Sequence, residues 1–442
     1  MGRWTALIDE MVEGRWINPE TGKPGTVPYE KVVIEERLDG HEADLVTALG
    51  FKGRIAVVCD QNTHDVMGLR VAKALQAAHN SGIASVDTIV LDHPHADEEN
   101  LALLREKTRN VDFLVAVGSG TINDLCKYVT ATDGRAYCVF GTAPSMNGYT
   151  STTASITAAN GLKVSKPAHA PKGVFIDLAV NAAAPTYLIA SGFGDCLVRS
   201  VAQFDWWLSH RLLGTFYTEL PFQLEIADEQ QLMARAPGLA KGDIEAVGYL
   251  HRVLTLCGFG VSFTGMSNHG SMGEHQISHY IDCFAGDRHP GTLHGQQVGV
   301  AALTMARLQT QILSSDTPPH IAATRIDEAD MRRRFGDEVT KVCLAEMAQK
   351  SFDAEGAEAL NAKLDTIWPA LRAELRAFVV PVETMRQALA DSGGPTTAQE
   401  LGIDVDFYRE AVIHAREIRK RYSALDLADD AGFLKAFAAD EA

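Results

Sequence analysis

Basic charge is scarce in this chain of 442 residues: 40 Lys and Arg stand against 57 Asp and Glu, a formal net charge of −17. Neutralising a nucleic acid or an anionic bilayer needs clustered Lys and Arg, so neither is expected as a partner. An anionic small molecule would need a local site that overcomes this global field. Paired cysteine spacing is also missing. Cys59, Cys126, Cys138, Cys196, Cys257, Cys283 and Cys343 are odd in number and scattered without CxxC, which excludes a disulfide framework and fits the reduced thiols of a cytoplasmic protein. No stretch approaches about 18 uninterrupted apolar residues, and Met1 to Glu10 mixes charges with apolar residues rather than forming a leader's apolar core. A cytoplasmic location is the expectation. Two familiar signatures are absent as well. The chain has no GxGxxG dinucleotide fingerprint, and no HExxH, because Glu274 precedes His275 instead of following it.

What is present is an ordinary globular composition, 46% hydrophobic and 22% charged, in a chain long enough for two domains. Gly14 to Val27 reads as an irregular arm. From Ile55 a rhythm begins: the apolar run Ile55 to Cys59, a helical stretch from His64 to His79, the run Val86 to Leu91, a helical stretch from Glu98 to Arg109, then Asp112 to Val117, a further helix, and Tyr137 to Phe140. Short buried strands separated by helix-length segments predict a parallel α/β sheet, closed by Val174 to Asp177. Beyond Pro185 the texture turns to long helix-compatible stretches, Leu188 to Leu213 and Asp327 to Ala377, ending in an acidic helical tail from Leu427 to Ala442. The fold class expected is therefore α/β plus all-α. An N-terminal parallel-sheet domain is expected over residues 1–182 and a helical domain over residues 183–442, which the resemblance described below implies bind dinucleotide and metal with substrate, respectively.

The run ending at Val117 passes directly into Gly118-Ser119-Gly120-Thr121-Ile122 and a helix-compatible segment. A strand, a glycine turn and a helix start present free backbone N–H groups and the positive end of the helix, where a pyrophosphate can sit. A plain strand-to-helix turn explains the same residues. Asp60, at the end of an earlier strand, is placed either to accept a ribose hydroxyl or simply to cap a helix. Further along, His275 and His279 stand four residues apart, with His294 beyond them and Asp195 well upstream. One carboxylate and two imidazoles make an N₂O set with room for a substrate oxygen, as a catalytic Zn²⁺ site requires; Fe²⁺ and Ni²⁺ accept the same donors. Spacing alone leaves open whether His275 or His279 is the ligand, and an HxxxH pair also serves ordinary surfaces and cores.

Taken in order, five motifs carry a resemblance: Gly118 to Asp124, Thr142-Ala143-Pro144-Ser145-Met146-Asn147-Gly148-Tyr149-Thr150-Ser151, Ser191-Gly192-Phe193-Gly194-Asp195, Glu274 to His279, and Leu293-His294-Gly295. Together they resemble the sn-glycerol-1-phosphate dehydrogenases, in particular the bacterial arabinose-operon branch, within the iron-containing alcohol and glycerol dehydrogenase superfamily. The resemblance covers roughly residues 50 to 300. It implies a dehydroquinate synthase-like fold and a metal-dependent, NAD- or NADP-linked oxidoreductase that interconverts sn-glycerol-1-phosphate and dihydroxyacetone phosphate, in a homo-oligomer such as a homodimer. It further implies that Asp195, His275 and His294 match the metal ligands, Zn²⁺ first with Ni²⁺ or Fe²⁺ as alternatives. His279 and Asp195 then fall in catalytic positions, and Asn147, Asp195 and His279 contact substrate. Gly118, Ser119, Gly120, Thr121, Ile122, Thr142, Ala143, Pro144, Ser145 and Ser151 match cofactor contacts, and Asp60 the ribose-side acid.

Two departures bear on substrate. Asn147 stands where the related pattern has Asp, and Ser267-Asn268-His269-Gly270-Ser271-Met272-Gly273 replaces Ser-Arg-Pro-Ala-Ser-Gly, removing an Arg. An unphosphorylated polyol or ketone is thus one alternative substrate. A lyase or cyclase of the dehydroquinate synthase kind, using NAD without net turnover, is another reading, and a non-catalytic binding protein a third.

Overall fold

Ile55 to Cys59, Leu114 to Val117, Tyr137 to Phe140 and Val174 to Ile176 are apolar without alternation because both of their faces are covered. In the computed structural model, which describes residues 4–78, 82–159, 161 and 163–441, these runs are almost wholly buried. They form the middle of a six-stranded sheet made of β1 (Lys31–Glu35), β2 (Gly53–Asp60), β3 (Ile83–Leu91), β4 (Phe113–Gly118), β5 (Ala136–Gly141) and β8 (Gly173–Asp177). The spatial order is β1-β8-β5-β4-β2-β3, and every neighbouring pair is parallel. A two-stranded antiparallel hairpin, β6 (Thr153–Thr157) with β7 (Lys163–Pro167), interrupts the alternation of strands and helices. The parallel α/β expectation therefore holds, and two pieces escaped it. β1 is five residues long and begins with a lysine, and the polar hairpin offers no apolar run.

Chain order matters for function here. From β2 the chain moves outward to β3 and then crosses back to β4 on the other side of β2. In an open parallel sheet, such a reversal leaves a crevice beyond the carboxyl ends of the two strands. Asp60 ends β2 and Gly118 ends β4, so the two candidate cofactor elements fall at that reversal.

Packing divides the chain into two compact units, residues 1–192 with 223–266, and residues 193–222 with 267–442. The first contains the sheet. It also contains the helix Ile244–Thr264, which is long and apolar enough to cross a membrane by composition; 78% of its apolar window is buried within the protein, so it serves as a core helix. Thr150 binds it closely: its Oγ1 donates to the Thr255 carbonyl at 2.9 Å, and a Cβ on Gly258 would lie 2.1 Å from that same oxygen.

The second unit is helical, as its sequence texture predicts. Leu188 to Leu213 resolves into Thr186–Cys196, which begins in the first unit, and Arg199–Leu213; Asp327 to Ala377 resolves into Glu328–Met347 and Ala354–Arg376. Asp353 restarts the chain there by accepting the Gly356 N–H, an N-cap that satisfies an otherwise orphaned donor. The tail forms two short helices, Ala424–Asp430 and Leu434–Ala439. His79 and Ala442, the outer ends of two expected helical stretches, and Met1 to Arg3 lie outside the described residues. None of the seven cysteines forms a disulfide.

Candidate active site

The residues expected on the nucleotide side gather at the carboxyl ends of adjacent strands. Ser119 precedes the helix Gly120–Asp133 without a side-chain cap, which leaves first-turn amides to an external anion. A Cβ on Gly118 would come 2.7 Å from the Ile122 side chain, so only glycine lets the turn close this tightly. The loop after β5 is held against that turn. Thr142 N–H donates to the Gly118 carbonyl at 3.2 Å, and the Tyr149 hydroxyl donates to the Ala143 carbonyl at 2.9 Å. Ser191 Oγ donates to the Ser145 carbonyl at 3.2 Å, and a Cβ on Gly192 would meet the Pro144 oxygen at 1.6 Å. Gly118, Ser119, Gly120, Thr121, Ile122, Thr142, Ala143, Pro144 and Ser145 are thus parts of one packed edge.

Asp60, Asn147 and Ser151 sit differently. Asp60 caps the helical turn at Gln61–Thr63: its Oδ1 accepts from Thr63 N at 2.8 Å and from Thr63 Oγ1 at 3.0 Å. The cap reading is therefore realised, and it uses one carboxylate oxygen of two. Asn147 Nδ2 lies 3.6 Å from Cys257 Sγ, and Ser151 Oγ bonds Thr153. Beneath this loop sequence reading missed a buried cation. Lys127 Nζ donates to the Gly148 carbonyl at 2.6 Å and the Thr153 carbonyl at 3.1 Å, with Asp124 Oδ1 3.7 Å away. Burial lowers the Lys127 pKa and raises that of Asp124, so the pair is retained for what it holds in place rather than for net charge.

In the helical unit Asp195, His275 and His294 converge, each offering a donor atom within 4.8 Å of the others. They come from three helices: Asp195 near the end of Thr186–Cys196, His275 in the first turn of Gly273–Phe284, and His294 at the start of His294–Ile312. Glycine sets the approach, since a Cβ on Gly194 would fall 2.1 Å from the Gly295 oxygen. Hydrogen bonding then fixes the imidazole tautomers. Glu274 Oε1 lies 2.9 Å from His275 Nδ1 and also accepts the Met272 N–H, so Nδ1 carries the proton. Ser278 gives its one proton to Gln297 Oε1 at 2.9 Å and accepts from His294 Nδ1 at 3.0 Å. His275 consequently directs an unprotonated Nε2 toward Asp195, and His294 keeps its Nε2 unprotonated. His275 Nε2 stands 3.6 Å from Asp195 Oδ1, two electron-rich atoms facing each other. A tetrahedral cation with bonds of about 2.1 Å separates its donors by roughly 3.4 Å, so this donor set fits a metal ion.

His279 is set apart from those three. Its ring centroid is 6.0 Å from that of His275 and 5.3 Å from that of His294, and its Nε2 lies 3.0 Å from Arg419 Nη2. A guanidinium only donates, so His279 accepts at Nε2 and carries its proton on Nδ1. Glu274, Ser278 and Arg419 were not singled out from sequence. The first two immediately flank the histidine positions and could have been flagged as ring orienters; Arg419, 140 residues away from His279, carried no signal. Asp205 was missed too. Buried in the helix Arg199–Leu213, it accepts from Gly273 N at 3.2 Å, Gln309 Nε2 at 3.0 Å and Ala424 N at 3.0 Å, tethering the start of the His275 helix.

Residues 33–185 match the model of the iron-containing alcohol dehydrogenase family. Solved structures share the fold at low identity. A glycerol dehydrogenase from Schizosaccharomyces pombe superposes with a TM-score of 0.61 at 18% identity, over 93% of this chain and 90% of that one. A maleylacetate reductase from a Rhizobium species gives 0.60 at 14%, over 94% and 96%. The fold is thus that of these solved dehydrogenases, and residues 33–185 are similar to the iron-containing alcohol dehydrogenase family. More particularly, the chain is similar in sequence to glycerol-1-phosphate dehydrogenases. It is 27% identical to the NAD(P)+ enzyme of Bacillus velezensis over 384 residues, 85% of this chain and 84% of that one. It is 32% identical to that of Halalkalibacterium halodurans over 262 residues, 58% and 64% of the two chains.

Proposed function

We propose that this chain is a metal-dependent, NAD(P)-linked dehydrogenase that interconverts a small polyol phosphate and its ketone, with sn-glycerol-1-phosphate and dihydroxyacetone phosphate as the pair. The observation that carries the reading is the triad of Asp195, His275 and His294, whose imidazoles are held by Glu274 and Ser278 in the one tautomer that can bind a cation. Such hydrogen-bonded support is what orients metal-binding histidines generally. A divalent cation held there supplies Lewis acidity to the reacting oxygen, and a nicotinamide supplies or accepts the hydride. The donor set accommodates Zn²⁺, Ni²⁺ or Fe²⁺, with Zn²⁺ the assignment proposed.

The chain's own residues do the rest. The uncapped amides after Ser119 and the turn at Gly118 receive the pyrophosphate, while Asp60 accepts a ribose hydroxyl with the oxygen its cap leaves over. Thr142 to Ser145 line the same edge, and Ser151 is a further proposed cofactor contact. His279, protonated at Nδ1, donates a hydrogen bond to a substrate oxygen and positions it. Asn147 offers its amide to a substrate hydroxyl. Seven thiols without a disulfide support a reducing, cytoplasmic setting.

The test is NADH and NADPH oxidation by metal-supplemented protein over dihydroxyacetone phosphate and dihydroxyacetone, beside the metal content of His294→Ala. Turnover of the phosphorylated ketone, with metal and rate lost together in the variant, is the expected result. Net consumption of no nucleotide would point to the lyase class or to a binding protein. Full metal and a normal rate in His294→Ala would remove the site assignment.

A further inference from the structure

Deep cations in the helical unit are matched by carboxylates. Lys350 Nζ lies 2.7 Å from Asp426, Arg416 pairs with Asp429, and Arg334 lies 2.6 Å from Glu417 and 2.7 Å from Asp330. This is the usual condition for charge inside a protein. Arg419 and Arg421 break the pattern. Among the described residues no carboxylate oxygen lies within 4.0 Å of either guanidinium. Their side-chain contacts are with neutral groups: Arg419 with His279 Nε2 at 3.0 Å, Arg421 with Ser267 Oγ at 2.9 Å and with the Ser271 carbonyl.

The two positive charges are also close enough to oppose each other. Burial, then the Arg419 charge, push the Arg421 guanidinium down to about 9, and the pull of Glu274 and Glu346 from farther off ranks below both. Both residues nevertheless keep intermediate solvent exposure as a whole. The arrangement is a deep, reachable concentration of positive charge in a chain whose net charge is −17. Its position is specific. Arg419 is one hydrogen bond from His279, whose ring neighbours those of His275 and His294. Arg421 grips the loop carrying uncharged Asn268, and its own carbonyl is fixed by Gln276 Nε2 at 2.9 Å and Lys350 Nζ at 3.1 Å.

We propose that Arg419 and Arg421 form the pocket for the phosphate of a phosphomonoester substrate, beside the Asp195, His275 and His294 cluster; this rests on the dehydrogenase reading above. Two guanidiniums balance the near-dianionic charge of a phosphomonoester, and their planar forks match its oxygens better than the neutral acceptors they hold now. The cost of burying two like charges is offset only when the substrate carries the phosphate, so the pair selects phosphorylated over free ketose. A carboxylate substrate would neutralise one charge and leave the other.

Two arms test this. In the first, inorganic phosphate is titrated into the wild-type protein at constant ionic strength against chloride. The expected result is a rise in Tm and competition with the phosphorylated ketose; no Tm change up to about 100 times a millimolar-range Kd, or competition with nucleotide alone, overturns the proposal whether or not the protein turns over any substrate. In the second, Arg421→Gln and Arg421→Lys are compared with wild type, with circular dichroism reporting the fold. Loss of a charge-assisted phosphate contact should lower the ratio of kcat/KM for dihydroxyacetone phosphate to that for dihydroxyacetone roughly 10- to 100-fold in Arg421→Gln, and less in Arg421→Lys. An unchanged ratio, or a rise confined to the KM for nucleotide, counts against the pocket. Should the Gln variant fail to fold, the phosphate arm decides. A wild type that reduces neither ketose yet binds phosphate sinks the dehydrogenase reading and leaves the anion pocket standing.

Discussion

At the ends of β2, β4 and β5 the functional atoms are largely backbone amides and carbonyls presented by a turn, whereas around Asp195 they are side chains contributed by three helices. The sheet edge is built from neighbours: Gly118, Ser119 and Gly120 are consecutive, and the strand pairing brings Gly141 opposite Gly118. The proposed metal cluster joins residues 195, 275 and 294, with orienters at 274 and 278 and an arginine at 419. A backbone cradle tolerates many side-chain changes and few glycine replacements. A side-chain cluster has no such redundancy, because each imidazole is held by a partner of its own.

That contrast can be broken most severely at Gly194. An alanine Cβ would sit 2.1 Å from the Gly295 oxygen, a backbone atom that cannot swing aside, so the helices bearing Asp195 and His294 must part. Gly194→Ala is expected to lose bound metal and turnover together and about 1–3 kcal/mol or more of stability, checked by elemental analysis and denaturant unfolding. A milder cut is Glu274→Gln, which keeps the shape but weakens the hold on His275 Nδ1; metal affinity should fall roughly 10- to 100-fold in a chelator competition. On the sheet side, Gly118→Ala forces a Cβ to 2.7 Å from Ile122. It should raise the KM for nucleotide about tenfold while metal content stays as in wild type. If Gly118→Ala lost metal as well, the two sites would not be separable in this way.

The smallest expected effect is a difference in pH response. In the sheet unit burial drives the His251 pKa down to about 3, with its Nε2 2.9 Å from Asn181 Oδ1. A folded value below the unfolded one of about 6.5 means that this contribution is intact above that pH and is lost as pH falls toward 3. In the helical unit burial raises Asp430 to about 7. Its contribution is intact below about pH 4 and is lost as pH rises toward 7. Each slope is at most about 1.4 kcal/mol per pH unit, so hydrogen exchange across pH 4 to 7 should show the two units weakening in opposite directions. His251→Asn and Asp430→Asn should each flatten only its own unit.

Legibility followed the same division. Uninterrupted apolar runs announced β2, β4, β5 and β8, because strands buried on both faces need apolar residues at every position. β1 and the β6–β7 hairpin escaped, being short or polar, and are held by pairing partners far along the chain. In the site, the glycine turn and the histidine spacing were visible as residues, but the ambiguity between His275 and His279 could not be lifted by spacing. Coordinates separate them through hydrogen bonds: His275 is oriented by Glu274 and stands 3.6 Å from Asp195, whereas His279 accepts from Arg419. Likewise Asp60 was balanced between a cap and a ribose acceptor, and the Thr63 N–H takes one of its oxygens for the cap.

By itself the order of amino acids settled the layer architecture and carried the resemblance to a dehydrogenase family, since periodicity, strand composition and ordered motifs are local properties that need no tertiary structure. Tertiary structure alone decided which imidazoles face Asp195, which proton each ring carries, and that Arg419 and Arg421 stand inside without a carboxylate. Those are properties of distance and of burial, and segments more than a hundred residues apart acquire them only when the chain has folded.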